Sequence, residues 1–118
     1  MGTRTAATLV TSFDGLGVGF EGPHGNPLGR NPSDNSLAVG PDHIFQIVNS
    51  RFAIFDRQGK AIYGSAPTST LFKGFGGTCE ERNNGDAVVR YDQLANRWLV
   101  VMPIFRGAKE PADQPPLW

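Results

Sequence analysis

Apolar and polar residues alternate at short range between Asp34 and Gly64, the most regular part of the chain. Turn-forming residues divide this stretch at Gly40-Pro41-Asp42 and at Asp56 to Gly59. The segments between them, each short and rich in β-forming residues, are Leu37–Val39, Ile44–Val48, Phe52–Phe55 and Ala61–Tyr63. Four strands within about 30 residues predict a small antiparallel meander, the unit from which β-propellers are built.

Weaker strand patterns lie on both sides of this unit. Residues 7–13 alternate and are β-rich, so they predict a first strand, and Asp14 to Pro32 predicts a long loop rich in Gly and Pro. After the unit, Ser65 to Thr70 predicts a polar linker, and a polar turn from Cys79 to Gly85 leads into a strand at Asp86–Asp92. A loop as long as the one from Asp14 to Pro32 is usually functional or packed on a partner in compact domains.

The most apolar segment is Arg97 to Phe105, RWLVVMPIF. Its nearly continuous hydrophobicity predicts a strand that is buried on both faces, with Trp98 in the core. The segment 106–118 holds three prolines and predicts an extended tail that ends in Trp118. Together these patterns predict a single β domain over 1–118, with a first strand and loop at 7–33, a blade-like unit at 34–64, a partial second unit at 65–105 and the tail at 106–118.

A short pattern occurs twice. Arg30-Asn31-x-x-Asp34 and Arg82-Asn83-x-x-Asp86 both precede a strand, and the two Asp residues are 52 positions apart. Propeller blades repeat at roughly 40 to 50 residues, so the chain is predicted to be all-β, with about one and a half antiparallel meanders of the propeller-blade type.

The polar residues of this repeat, Asn31, Asp34, Asn83 and Asp86, have two interpretations. Asn and Asp side chains bond to nearby backbone amides and fix the angle at which the chain enters a strand, and this structural role is favoured. Alternatively, the four residues surround the mouth of a channel and hold Ca²⁺ or a polar ligand, since Ca²⁺ takes oxygen ligands. No other cofactor is indicated.

Charge and composition exclude several function classes. Eleven basic and eleven acidic residues balance among 118, so the basic stripe typical of a nucleic-acid partner is absent. No apolar run approaches the roughly 18 residues of a membrane span. The N-terminal residues lack the apolar core of a secretory signal, so either the protein stays inside the cell or a signal was removed.

Catalytic patterns are not evident, and we expect a non-enzymatic protein. His24 and His43 have turn-forming neighbours and are expected to be exposed rather than metal-bound. Cys79 is the only cysteine and is expected to be a buried small apolar residue. Large aromatic residues in or beside loops anchor interfaces, so the candidates for contacts with another chain are Phe20, Phe105 and Trp118.

Propellers need at least about four blades to close. One and a half blades would leave an unpaired strand edge, which proteins normally cover. We therefore expect either a longer polypeptide or other subunits to cover these edges.

Four segments also carry a family resemblance: Phe13 to Gly17, residues 31–60, GFGGTCE at 74–80 and NNGDAVVRYDQLANRWLVVMPIF at 83–105. Together they resemble the N-terminal portion of a group of bacterial extracytoplasmic β-propeller-like proteins without a defined activity. The resemblance implies a periplasmic or secreted location. The leading hypothesis is a structural or accessory subunit that docks, through its long Gly/Pro loop and its Pro-rich tail, on other protein subunits of a larger assembly, a membrane complex included. The alternative is a fragment of a secreted carbohydrate-binding or glycoside-processing propeller.

Overall fold

The computed structural model of this protein describes residues 3–27 and 32–105. Its architecture is nearly all-β, as predicted, and consists of two antiparallel sheets. A 3₁₀ helix and one short α-helix connect the sheets. In chain order the elements are β1 (Ser36–Val39), β2 (His43–Val48), β3 (Arg51–Asp56), β4 (Ala61–Pro67), the 3₁₀ helix (Thr68–Phe72), α1 (Gly77–Glu81), β5 (Val88–Asp92) and β6 (Arg97–Val101).

The first four strands form the predicted meander, in the order β1-β2-β3-β4. Its turns are held by short polar contacts. In the β3–β4 turn, Asp56 Oδ1 accepts hydrogen bonds from the N–H groups of Gln58 and Lys60, both at 2.9 Å. In the β1–β2 turn, the Gly40 N–H donates to the His43 carbonyl at 2.8 Å. The turn-forming residues of the sequence therefore stand where the chain reverses.

Both faces of the meander carry buried apolar side chains. Successive side chains of a strand point to opposite sides of the sheet, so the apolar residues of β2 and β3 divide into two clusters. On one face Phe45, Ile47 and Phe52 are buried in a cluster that includes residues of β5. On the other face Ala53 and Phe55 are buried beneath Leu16 of the long loop. The central strands β2 and β3 are thus the strands buried on two sides.

The second sheet is the β5–β6 hairpin, paired from Val88↔Val101 to Asp92↔Arg97. It turns at Asp92, whose Oδ1 accepts from the N–H groups of Leu94 and Ala95 at 2.9 and 3.1 Å. The hairpin packs on the meander, and β5 lies beside β1. This sheet has two strands where the first has four, in agreement with one meander and part of a second.

The first predicted strand is not formed. Residues 7–13 belong to no strand, and their side chains are exposed. Their composition favours β-structure, but a strand also needs a neighbour for its backbone hydrogen bonds, and no described residue provides one. The loop that follows is irregular in its described part, 14–27, apart from a tight turn closed by Gly22 and Gly25.

Two connections also differ from the prediction. Ser65 to Pro67 continue β4 rather than starting a linker, and the 3₁₀ helix begins at Thr68. Ser65 is fully buried, and its Oγ and carbonyl accept hydrogen bonds from Arg51 at 2.7 and 2.8 Å. Polar composition suggested a linker, whereas a partner across the sheet keeps these residues in the strand.

The prediction for the most apolar segment is wrong in its burial. β6 ends at Val101, and most of its residues are exposed. Trp98 retains 36% of its surface exposed and packs against Phe45 and Tyr91 with ring centroids 5.8 and 4.9 Å away. β6 is an edge strand, and only one of its faces is packed against other residues. Its hydrophobic sequence therefore did not indicate burial on both faces. The predicted tail, 106–118, lies outside the described residues.

The predicted polar turn at 79–85 overlaps α1 (Gly77–Glu81), a helix of one turn. Cys79 lies on it and is exposed, which contradicts the expectation of a buried thiol. α1 has five residues, and none of them is buried. The Cys79 thiol therefore does not pack into the core.

Candidate functional site

An apolar groove of about 440 Å³ opens between the meander and the β5–β6 hairpin. The meander contributes Phe45, Ile54 and Ile62 to its wall, and β6 contributes Trp98 and Val100. The remaining lining residues, which include three from the 3₁₀ helix and the loop after it, are His43, Leu71, Phe72 and Phe75. No Asp, Glu, Lys or Arg is among these lining residues, so the groove suits an uncharged apolar group.

A row of aromatic rings runs from the groove lining into the core. Phe52 stacks between Tyr63 and Phe45, with centroids 5.4 and 5.2 Å away. Phe45 in turn contacts Trp98 of the hairpin. Each ring lies on a different strand, and the row joins the meander to the β5–β6 hairpin.

The exposed side of the groove includes Phe75, which retains 75% of its surface exposed, and Ile62, which retains 43%. Phe75 packs edge to face on Phe72, with centroids 5.9 Å apart. The loop that carries it is fixed by Glu80, whose Oε2 accepts from the N–H groups of Gly74 and Gly76 at 3.1 and 2.9 Å. Phe75 therefore faces solvent, whereas Phe72 beneath it is half-buried.

The repeat residues Asp34 and Asp86 line one polar cavity of about 330 Å³, together with Asn35 and Arg90. Both Asp residues have positive φ, 43° and 52°, a conformation that Asp and Asn tolerate better than most residues. Each stands two positions before a strand, and those strands, β1 and β5, are neighbours. The chain therefore makes the same backbone turn twice and brings the two carboxylates to one place.

Of the two repeat asparagines, only Asn83 lies within the described residues. Asn83 is half-buried and engaged in structure: its Nδ2 donates to the Ser50 carbonyl at 2.8 Å, and its Oδ1 accepts from the Ser69 N–H at 3.2 Å. It does not line the polar cavity. Asn31 lies outside the described residues.

The aromatic candidates for contacts with another chain have different surroundings. Phe20 is half-buried, and its ring packs on Phe55 within the same chain at 5.8 Å. Phe105 retains 45% of its surface exposed, and its carbonyl accepts from Arg82 Nη1 at 2.6 Å. Trp118 lies outside the described residues.

The side chains that could carry chemistry are dispersed. His24 and His43 are exposed, as predicted, and His24 Nδ1 accepts from the Gly64 N–H at 3.1 Å. Over residues 3–27 and 32–105, His, Cys, Asp and Glu nowhere form a group of three that could hold a metal ion.

Neither helix of the described chain has the length and hydropathy needed to cross a membrane. A scan of protein-family models, a search of curated proteins and a search of solved structures each found no match for this chain. The groove and the polar cavity are therefore interpreted from their own geometry.

Proposed function

We propose that this protein is a non-catalytic interaction module, an accessory subunit that docks on a larger protein assembly through the apolar groove. The observation that carries the proposal is the groove itself, about 440 Å³ in volume and lined by aromatic and aliphatic side chains. Contiguous exposed apolar surface in soluble proteins commonly marks an interaction site. Pockets that receive an anchoring side chain are the energetic centres of interfaces.

The placement of the groove on strands supports the same proposal. Six of its nine lining residues stand on strands, and the other three belong to the 3₁₀ helix and the loop after it, so binding costs less conformational entropy than at a groove built from loops. Its uncharged lining favours an aliphatic or aromatic anchor over a charged one, because a charge moved into an apolar site loses its hydration. The resemblance of the sequence to extracytoplasmic proteins leads us to propose a partner on that side of the membrane, with membrane complexes among the candidates.

The test is site-specific photo-crosslinking in the cells that express the protein. A photoreactive phenylalanine analogue at Phe75, on the rim of the groove, is expected to capture a discrete partner. The same analogue at Leu94, fully exposed in the β5–β6 turn, is the matched control and is expected to capture none. Phe75→Asp should abolish co-purification of that partner without lowering the melting temperature, since the side chain is largely exposed. Equal crosslinking from both positions, or none from Phe75, would contradict the proposal.

A second candidate function rests on the polar cavity. Asp34, Asp86, Asn35 and Arg90 around one cavity could bind a carbohydrate or, through carboxylate oxygens, Ca²⁺. This is the site that a carbohydrate-binding or glycoside-processing protein would use.

For this candidate, Ca²⁺ or a neutral oligosaccharide should raise the melting temperature of the wild-type protein, since a ligand that binds only the folded state stabilises it. Asp34→Asn with Asp86→Asn removes both charges and keeps residues that tolerate positive φ, and it should abolish the rise. Asp42→Asn, an exposed change in the β1–β2 turn, should leave the rise intact. A wild-type protein that neither ligand stabilises would eliminate this candidate.

A further inference from the structure

The outer edge of β6 is open. β6 pairs with β5 on one side, and no described strand pairs with its other side. About half of the N–H and C=O groups of an edge strand point outward without a strand partner. Leu99 and Val101 of this strand are also 57% and 55% exposed.

The other sheet edges of the described chain are covered. β1 and β5 lie beside each other, and the Val89 N–H donates to Ser36 Oγ at 3.0 Å. The edge at β4 is capped by the turn at 22–25: the His24 N–H donates to the Gly64 carbonyl at 2.9 Å, and His24 Nδ1 accepts from the Gly64 N–H. β4 also carries register shifts against β3, which discourage pairing with another strand. Along its five residues, β6 has neither a capping turn among the described residues nor a register shift.

The chain also contains a strand-like segment without a sheet, residues 5–12, which we call the N-terminal arm. It is β-rich and belongs to no strand, helix or turn, and none of its residues makes a hydrogen bond with another described residue. Leu9 and Val10 are 79% and 91% exposed. Such a segment gains both hydrogen bonds and apolar burial when it joins an edge.

The arm and the β6 edge match in length and charge. At about 3.4 Å per residue, eight extended residues span about 27 Å and exceed the five residues of β6. The arm contains no Asp, Glu, Lys or Arg, so it meets Arg97, the only charged residue of β6, without repulsion in any register.

The arm starts on the wrong side of the meander for its own β6. Phe13, the next residue after it, packs on Phe55 with centroids 5.5 Å apart. Phe55 belongs to the face beneath the long loop, whereas the β5–β6 hairpin covers the opposite face. The two unpaired elements of one chain are therefore separated by the sheet, while a second copy can present each to the other.

We propose that the N-terminal arm of one copy adds as a strand to the β6 edge of a second copy, and that the exchange is reciprocal. Two identical arm-to-edge contacts close the assembly as a symmetric dimer and occupy both arms and both β6 edges, so a third copy cannot add by the same contact. This inference goes beyond the proposed function, because the strand edge and the arm, not the groove, form the contact.

The test is the mass of the intact protein in solution, measured by light scattering during size-exclusion chromatography over a wide concentration range. The wild-type protein is expected at twice the mass of one chain. Leu9→Lys with Val10→Lys places charges on both faces of the arm and should reduce the mass to that of one chain. Leu94→Lys, fully exposed in the β5–β6 turn, adds charge elsewhere and should leave the dimer unchanged.

Hydrogen exchange identifies the surface involved. Backbone amides of β6 that face outward should be protected in the wild-type protein and lose that protection in the arm variant, with β2 and β3 unaffected as evidence of folding. A wild-type protein that is monomeric at every concentration overturns the proposal. So does a dimer that survives the arm variant, which would indicate another occupant such as β6 of the second copy. The crosslink from Phe75 is read out separately, so failure here leaves the groove proposal standing, and the converse also holds.

Discussion

Asn83 joins three parts of the chain with a single amide group. It lies in the extended segment between α1 and β5, donates to the β2–β3 turn at Ser50, and accepts from Ser69 in the 3₁₀ helix. Ser50 also accepts from the Thr68 N–H at 2.9 Å, so its carbonyl has a second donor. The Ser69 backbone N–H donates to the Asn83 side-chain oxygen.

Asn83→Ala should therefore lower the free energy of unfolding by about 1–2 kcal/mol, because the partly buried Ser69 backbone N–H loses its acceptor. Asn84→Ala is the matched control, since the neighbouring side chain is exposed and such changes usually stay within about 0.5 kcal/mol. Urea denaturation of both variants measures the difference. Equal stability of the two variants would show that the Asn83 amide does not hold these segments together.

Asp34 and Asp86 show what a five-residue pattern can and cannot predict. Their residue type predicted side-chain bonds to backbone amides at the entry of a strand, whereas the feature that the structure shows at both positions is a positive φ. The companion asparagine Asn83, at the same spacing, instead supports the loops beneath the hairpin. Local sequence indicated the turn, but the position of each side chain depends on what lies opposite it.

At the scale of elements, the β5–β6 hairpin is attached to the meander mainly through one face of β5. Val89 is fully buried, while its neighbour Val88 is 42% exposed on the opposite face. The Val89 backbone N–H also bonds to Ser36 of β1. The hairpin therefore depends on the meander for its core, because a two-stranded hairpin alone is marginally stable.

Val89→Ala should lower the free energy of unfolding by about 2 kcal/mol, from lost apolar burial plus the cavity that remains. It should also speed hydrogen exchange in β5 and β6 more than in β2 and β3. Val88→Ala removes the same atoms from the exposed face and should cost about 0.5 kcal/mol or less. Denaturation and hydrogen exchange of the pair test the attachment, and similar losses from both variants would contradict it.

At the scale of the whole molecule, apolar surface exceeds what the described chain can cover. The meander uses the long loop on one face and the hairpin on the other, but the outer face of the hairpin, the groove and the N-terminal arm stay exposed. The formal net charge is zero, so little electrostatic repulsion opposes association. These features together favour assembly, either with a partner at the groove or with a second copy at β6.

Much of the fold was predictable because its causes are local. Turn residues such as Asp56 and Asp92 bond to amides two to four positions away, and alternation along β2 and β3 fits a pleated sheet. The meander and the hairpin follow from these signals. The carboxylates of the polar cavity were found through the repeat, but the groove was missed, because its lining residues come from five separate segments of the chain.

The sequence by itself determined the four strands of the meander, the two strands of the hairpin and the turns that join them, since turn chemistry and β-propensity act over a few residues. Only the tertiary structure decided which apolar residues are covered. Residues 7–13 are β-rich yet unpaired, and β6 is the most apolar strand yet lies at an edge. Strand pairing and burial require a neighbour that is distant in sequence. Hydrophobicity shows that burying a residue would be favourable, but it does not show that the chain provides a surface to bury it.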